Sequence, residues 1–213
     1  MSTPITERGL RARRKQRTRA DIVAAAEALF AEQGFEAVAV ADVAHRAEVS
    51  EQTVYNYFKS KEALVFDEAE EFEARFTAMV RQRAKGTSLT AAVRRQAHEF
   101  LAALRARPDS PHRRGGMPYL IAANPAVRRH WLALLERFAQ AVADALVSEN
   151  RKLPKTTAKV LGIAVMAVFA VIVEEVGEAA RQGLKTAGTL SRLKREVDLA
   201  IEALEHGIDR AMP

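Results

Sequence analysis

Apolar residues recur at three- and four-residue intervals in one segment after another of this 213-residue chain, and no segment alternates apolar and polar residues as a half-buried strand would. That spacing confines the chain to helices. Ile22, Ala25, Ala26, Leu29 and Phe30 form a first stripe over residues 20–34, which Gly34 is placed to end in the left-handed conformation. Ser60 is placed to cap a helix running from Lys61 to about Lys85 through Leu64, Val65, Phe66, Phe72 and Phe76. Val93, Ala97, Phe100, Leu101 and Leu104 mark the next, over about 89–105. The segment 107–118 has three of the seven prolines and the only Gly-Gly pair, and reads as a mobile loop. Asn124 and Pro125 open a long helix through Val127, Trp131, Leu134, Phe138, Val142 and Leu146. Pro154 opens another, apolar almost all round over 160–173, and Thr189 is placed to cap a last one with Leu193, Val197, Ile201, Leu204 and Ile208 inward. The expected fold is all-α, with about nine helices.

Residues 40–61, VADVAHRAEVSEQTVYNYFKSK, stand apart as two short helices joined by a three-residue turn. Val40, Val43, Ala44 and Ala47 make one buried stripe on the first. Ser50 supplies an N-cap for the second, on which Val54 and Phe58 lie four apart and pack inward. Gln52, Thr53, Tyr55, Asn56 and Tyr57 are left to face elsewhere, and all five are hydrogen-bonders. A unit of this kind reads DNA, and its domain is expected over residues 17–64.

The net charge of +6 is concentrated where it bears on that reading. Residues 1–20 hold Arg8, Arg11, Arg13, Arg14, Lys15, Arg17 and Arg19 against Glu7 alone, whereas residues 21–66 hold three cations against eight carboxylates. A basic arm over residues 1–16 must therefore carry the long-range attraction for a polyanion, its arginines reaching phosphates or the minor groove. A solvated tail is the plainer reading of the same run. There is no cysteine, which excludes disulfides and thiolate chemistry. The uncharged apolar run of 14 residues at 160–173 is shorter than a membrane span, and no secretory run follows the basic N-terminus. The expectation is a cytoplasmic protein with no membrane partner.

TRADIVAAAEALFAEQGF, VADVA and VSEQTVYNYFKSKEAL, with the YxxFxxKEAL continuation, resemble the N-terminal domain of the TetR family of transcriptional regulators over residues 18–66. The resemblance implies a homodimer that binds a palindromic operator in double-stranded DNA. It places Glu51, Gln52 and Tyr55 at base edges and Ser50, Thr53, Tyr57 and Lys61 on phosphate, with Arg17, Thr18 and Asn56 completing the DNA-binding set. It also implies that residues 65–213 form a dimerisation and effector-binding bundle whose ligand releases DNA, most simply as a repressor. The run FDEAEEFEAR resembles members that answer to fatty acyl thioesters. Two positions depart from the family pattern: Ala39 stands where threonine often caps, and Glu48 where the turn commonly has glycine.

In the C-terminal part Phe100, Met117, Tyr119, Trp131, Phe138, Met166 and Phe169 are candidate pocket walls, each with ordinary core packing as its plainer reading. His98 is placed to meet a polar ligand group, and Glu174 or Glu175 to orient a cationic one. No catalytic motif, no cofactor motif and no metal-ligand spacing occurs, so neither an enzyme nor a cofactor protein is expected. Two alternatives stay open: a regulator of this fold without a small ligand or acting as activator, and a helical binding protein or enzyme with an incidental helix-turn-helix.

Overall fold

The computed structural model describes residues 7–106, 114–184 and 186–208, with the side chains of 7–9, 186 and 206–208 left out of the description. The described residues form nine α-helices and no strand, and divide into two compact units, one within 1–67 and 111–117 and the other within 68–110 and 118–213.

The N-terminal unit is built on α1 (Glu7–Gln33), α2 (Val40–Arg46) and α3 (Glu51–Tyr57). Ile22, Ala26, Leu29 and Phe30 of α1 meet Phe35, Val38, Val43, Val54 and Phe58 in one buried core. Each large apolar side chain there contributes roughly 1.5–3 kcal/mol. Gly34, at φ 82°, ends α1 as its position in the sequence implies, its N–H donating to the Phe30 carbonyl at 3.0 Å. The start of α1 differs from expectation: the basic segment from Glu7 onward is the first part of the helix and not a separate arm. Residues 1–6 of the arm and the Arg8 side chain lie outside the description.

The expected helix from Lys61 to Lys85 is divided. Leu64 and Phe66 are both buried, a spacing of two that one α-helical face cannot provide. The chain answers with a 3-10 turn, Glu62–Leu64, whose amide bonds run to the third residue back. Ser60 Oγ accepts from the Ala63 N–H at 3.3 Å at its start.

The C-terminal unit contains α4 (Ala69–Arg81), α5 (Leu89–Ala106), α6 (Met117–Ala123) from Pro118 onward, α7 (Pro125–Glu149), α8 (Lys155–Arg181) and α9 (Thr186–Ile208). Helix α8 is its centre, packed against α7, α9 and α5. By length and composition it is apolar enough to cross a membrane, and twelve of its residues are buried within the unit. Two glycines let neighbours approach it: a Cβ on Gly162 would strike the Ala139 carbonyl of α7, and one on Gly177 the Pro118 carbonyl of α6. Of the expected loop, 107–113 lies outside the description; Gly115 is buried on α1, and α6 begins where the loop was expected to continue. Asn124 holds the N-cap position of α7 without capping it, because its amide donates to the Leu120 carbonyl and closes α6 instead. Thr189 is a buried residue inside α9, not its cap. Gly183, at φ 73°, lets the Leu184 N–H return to the Ala179 carbonyl, so α8 closes early enough for α9 to start at Thr186.

Candidate nucleic-acid interface

Helix α3 has only seven residues, too short to persist without capping and a buried anchor. Ser50 provides the cap: its Oγ accepts from the Thr53 N–H at 3.1 Å and lies 2.8 Å from the Thr53 hydroxyl. Val54 and Phe58 provide the anchor, 1% and 3% exposed. The outward face carries Glu51, Gln52, Tyr55 and Asn56 in solvent, with Thr53 and Tyr57 half-buried at its edges. Gln52 Nε2 donates to Asn56 Oδ1 at 3.2 Å, one turn on. That bond orients the Gln52 carboxamide and uses one of its two N–H donors. The other N–H and the carbonyl remain, which is the donor–acceptor pair that matches adenine N7 and N6 in the major groove. The Asp42 carboxylate accepts from the Ala39 N–H at 2.7 Å, so α2 keeps half of a capping box although Ala39 has no side-chain oxygen of its own.

The turn between the helices passes through Glu48 at φ 54°, the one non-glycine residue with positive φ among those described. The glutamate therefore takes the left-handed conformation that glycine would take without strain.

The groups around this face divide into two kinds. Arg11, Arg13, Arg14, Lys15 and Arg17 are exposed on α1, with Thr18 half-buried behind them. An α-helix about 10–12 Å across does not enter a minor groove about 6 Å wide, so along the described part of the basic segment only arginine side chains can reach into it. Lys61 is of the other kind. Its ammonium donates to the carbonyls of Phe35 at 2.8 Å and Val38 at 3.1 Å, approaches that of Glu36 at 3.5 Å, and lies 4.3 Å from the centre of the Phe35 ring. Its three donors serve the α1–α2 loop, which competes with the phosphate contact that the family resemblance implies.

Two further arginines brace the unit without any signal that single-sequence reading could use, since their partners are distant in the chain. Arg19 stacks over Phe58 at 4.7 Å and donates to the Asp67 carbonyl. Arg46 makes a two-bond pair with Glu32, at 2.6 and 2.8 Å, and those bonds raise the guanidinium pKa.

The pocket candidates fall into separate places. Phe100 and Phe169 line a recess between α4 and α5, Met166 lines a trough along α7 and α8, and Phe138 is buried against Phe76 at 5.7 Å. Trp131 is buried, and Met117 and Tyr119 are half-buried on α6; none of the three lines either recess. His98 bonds Asp198 at 2.8 Å, while Glu174 pairs with Arg128 and Glu175 with Arg192. These polar groups are engaged with neighbouring helices. No group of three potential metal ligands occurs among the described residues.

A capped short helix with a polar outer face, set after a partner helix and a tight turn and beside a basic helix, defines a helix-turn-helix DNA-binding protein. Residues 22–67 match the model for bacterial regulatory proteins of the tetR family. No curated protein matches the chain in sequence. Solved structures share the fold over most of the chain, three of them as follows. One is a chain from Mesorhizobium loti assigned to the TetR family, with 22% identity, a TM-score of 0.56 and coverage of 91% of this chain and 97% of that one. The second is NalD of Pseudomonas aeruginosa, the secondary repressor of the MexAB-OprM multidrug efflux pump, with 17% identity, a TM-score of 0.57 and coverage of 87% and 97%. The third is a single-residue variant of TetR from Acinetobacter baumannii in complex with minocycline, with 20% identity, a TM-score of 0.53 and coverage of 88% and 96%.

Proposed function

We propose that this protein is a cytoplasmic transcriptional repressor that binds a palindromic operator as a homodimer and is released by a small hydrophobic or amphipathic effector in its C-terminal unit. Regulation, not catalysis, is its work. The observation that carries the reading is the Ser50-capped helix α3, which holds Gln52, Tyr55 and Asn56 in solvent on a buried Val54–Phe58 anchor. Two such helices, one from each copy, would read half-sites about 34–36 Å apart. Support for two copies comes from α8, where Val160, Ile163 and Val171 are 60%, 63% and 52% exposed along one face of an otherwise packed helix. Support for an effector comes from the recesses among the helices of the same unit and from the minocycline complex of a protein with this fold. By linkage, effector and operator weaken each other's binding by the same factor.

The test is fluorescence anisotropy with palindromes from the protein's own promoter, at stated salt. Gln52→Ala is expected to relax the preference at one base pair in each half-site by about 1–3 kcal/mol while leaving the others unchanged. A uniform loss at every position would take Gln52 off the base edge.

A further inference from the structure

Two recesses among the described residues of the C-terminal unit differ in character. The larger, about 870 Å³, is an open trough along α7 and α8 that includes Ile163, Ala167 and Ala170. It is continuous with the α8 face offered to a second copy. The smaller, about 320 Å³, lies between α4 and α5 and reaches Phe169 of α8. Phe72, Phe76, Phe100 and Phe169 line it. Phe72 and Phe76 stack at 6.4 Å and 22°, while the other ring pairs meet at angles: Phe72 to Phe100 at 5.9 Å and 78°, Phe100 to Phe169 at 6.1 Å and 75°, Phe76 to Phe169 at 4.7 Å and 57°. A void among aromatic rings forfeits dispersion contacts that a closed core would keep, and a ligand restores them.

The charged groups lining the recess are Arg75, Arg95 and Glu99, with Gln82 and Gln96 neutral between them. Arg75 lies over the Phe72 ring at 4.8 Å, and its nearest carboxylate, Glu68, is 3.9 Å away. Arg95 is likewise 3.9 Å from Glu99. Several arginines elsewhere close tightly on carboxylates, as in the Arg46–Glu32 pair at 2.6 Å and the Arg192–Glu175 pair at 2.9 Å. The two guanidiniums at this mouth are therefore loosely held, about half exposed, and able to turn toward a better anion at little cost.

We propose that this recess takes a small organic anion, an apolar or aromatic carboxylate whose body lies among the four phenylalanines and whose carboxylate is met by Arg75 and Arg95. The proposal rests on the reading of this unit as effector-binding and gives that effector a chemical class. At a liquid-like share of about 30 Å³ per water-sized group the space holds roughly ten non-hydrogen atoms. That is one ring and a short chain. A whole fatty acyl thioester does not fit within it, although its apolar acid portion, if short, does.

The test is titration calorimetry on the full-length protein with the ω-phenyl carboxylates from benzoate to 6-phenylhexanoate, each beside its amide and its amine. An acid in the series binds, its amide binds about tenfold more weakly, and the amine binds least, since one charge-assisted pair is worth about that factor. Arg75→Gln with Arg95→Gln removes the preference for acid over amide and leaves amide binding unchanged. Phe100→Trp fills the recess and abolishes both, with thermal melts to establish that each variant is folded. Binding of no acid in the series, an amine binding as well as its acid, or unchanged binding in folded Phe100→Trp overturns the proposal. Operator anisotropy separates the two readings. Acid binding that leaves operator affinity unchanged upholds the pocket and overturns effector release. Absence of operator binding with no acid present overturns the regulator reading alone.

Discussion

The Lys61 ammonium and the Glu48 backbone show how much of the helix-turn-helix surface depends on groups engaged with the protein's own backbone. Three loop carbonyls around Lys61 leave it no donor for a phosphate unless the α1–α2 loop gives way. Lys61→Ala is therefore expected to lower stability by about 1.5–3 kcal/mol, near the lower end because the site is only half-buried. The melting temperature then falls by about 2–4 °C per kcal/mol. The slope of log affinity against log salt stays unchanged, whereas a phosphate contact would take away about 0.9 of it. Glu48→Gly should act in the opposite sense. Relief of about 1–2 kcal/mol of left-handed strain exceeds the unfolded-state entropy that glycine adds, for a net gain of up to about 1 kcal/mol in a denaturant melt. The position of Glu48 was legible in the sequence as a turn lacking its glycine. The occupation of Lys61 was not, because its partners lie 23 to 26 residues away.

At the scale of elements, the helices announced by one-sided apolar stripes are where their sequences place them: α2, α3, α5 and α7. Boundaries that depend on neighbours moved. α1 extends through its basic segment, where cations at i and i+4 such as Arg13 and Arg17 repel by a few tenths of a kcal/mol per pair. The segment after Lys61 tightened into a 3-10 turn because two buried side chains two residues apart demanded it. The close crossing of α8 on α7 is another neighbour effect. No stripe reveals that Gly162 faces the Ala139 carbonyl. Glycine inside a helix ordinarily loses about 1 kcal/mol to alanine, yet Gly162→Ala is expected to destabilise by about 1–3 kcal/mol, since the added methyl forces the helices apart. Chemical denaturation of the variant reads this directly, and a stabilised variant would mean that the crossing is looser than described.

For the whole molecule, the all-α class and the DNA-reading unit were legible because helix period and capping chemistry are local, and the division of labour beyond residue 67 was less so. Seven pocket walls chosen by residue type divide among two recesses, the core and the half-buried face of α6, because which apolar side chain meets a void depends on how helices cross and not on its own spacing. Assembly is testable at this scale. Ile163→Glu places a charge on the exposed α8 face without touching the N-terminal unit. Light scattering at micromolar concentration is expected to give twice the chain mass for the wild type and the single mass for the variant, with operator affinity falling by at least tenfold. A monomeric wild type would remove the proposed two-copy reading of the operator.

Trp131 is the single tryptophan of the chain and is buried in α7, within the C-terminal unit, while two of the three tyrosines, Tyr55 and Tyr57, belong to the outward-facing helix α3. The third, Tyr119, lies in α6. The protein thus carries native chromophores divided between its two units. Emission excited at the red edge of the absorption band reports on the helical bundle alone, and in Tyr119→Phe the tyrosine emission comes from α3 alone, so that communication between the units can be followed in an unlabelled chain.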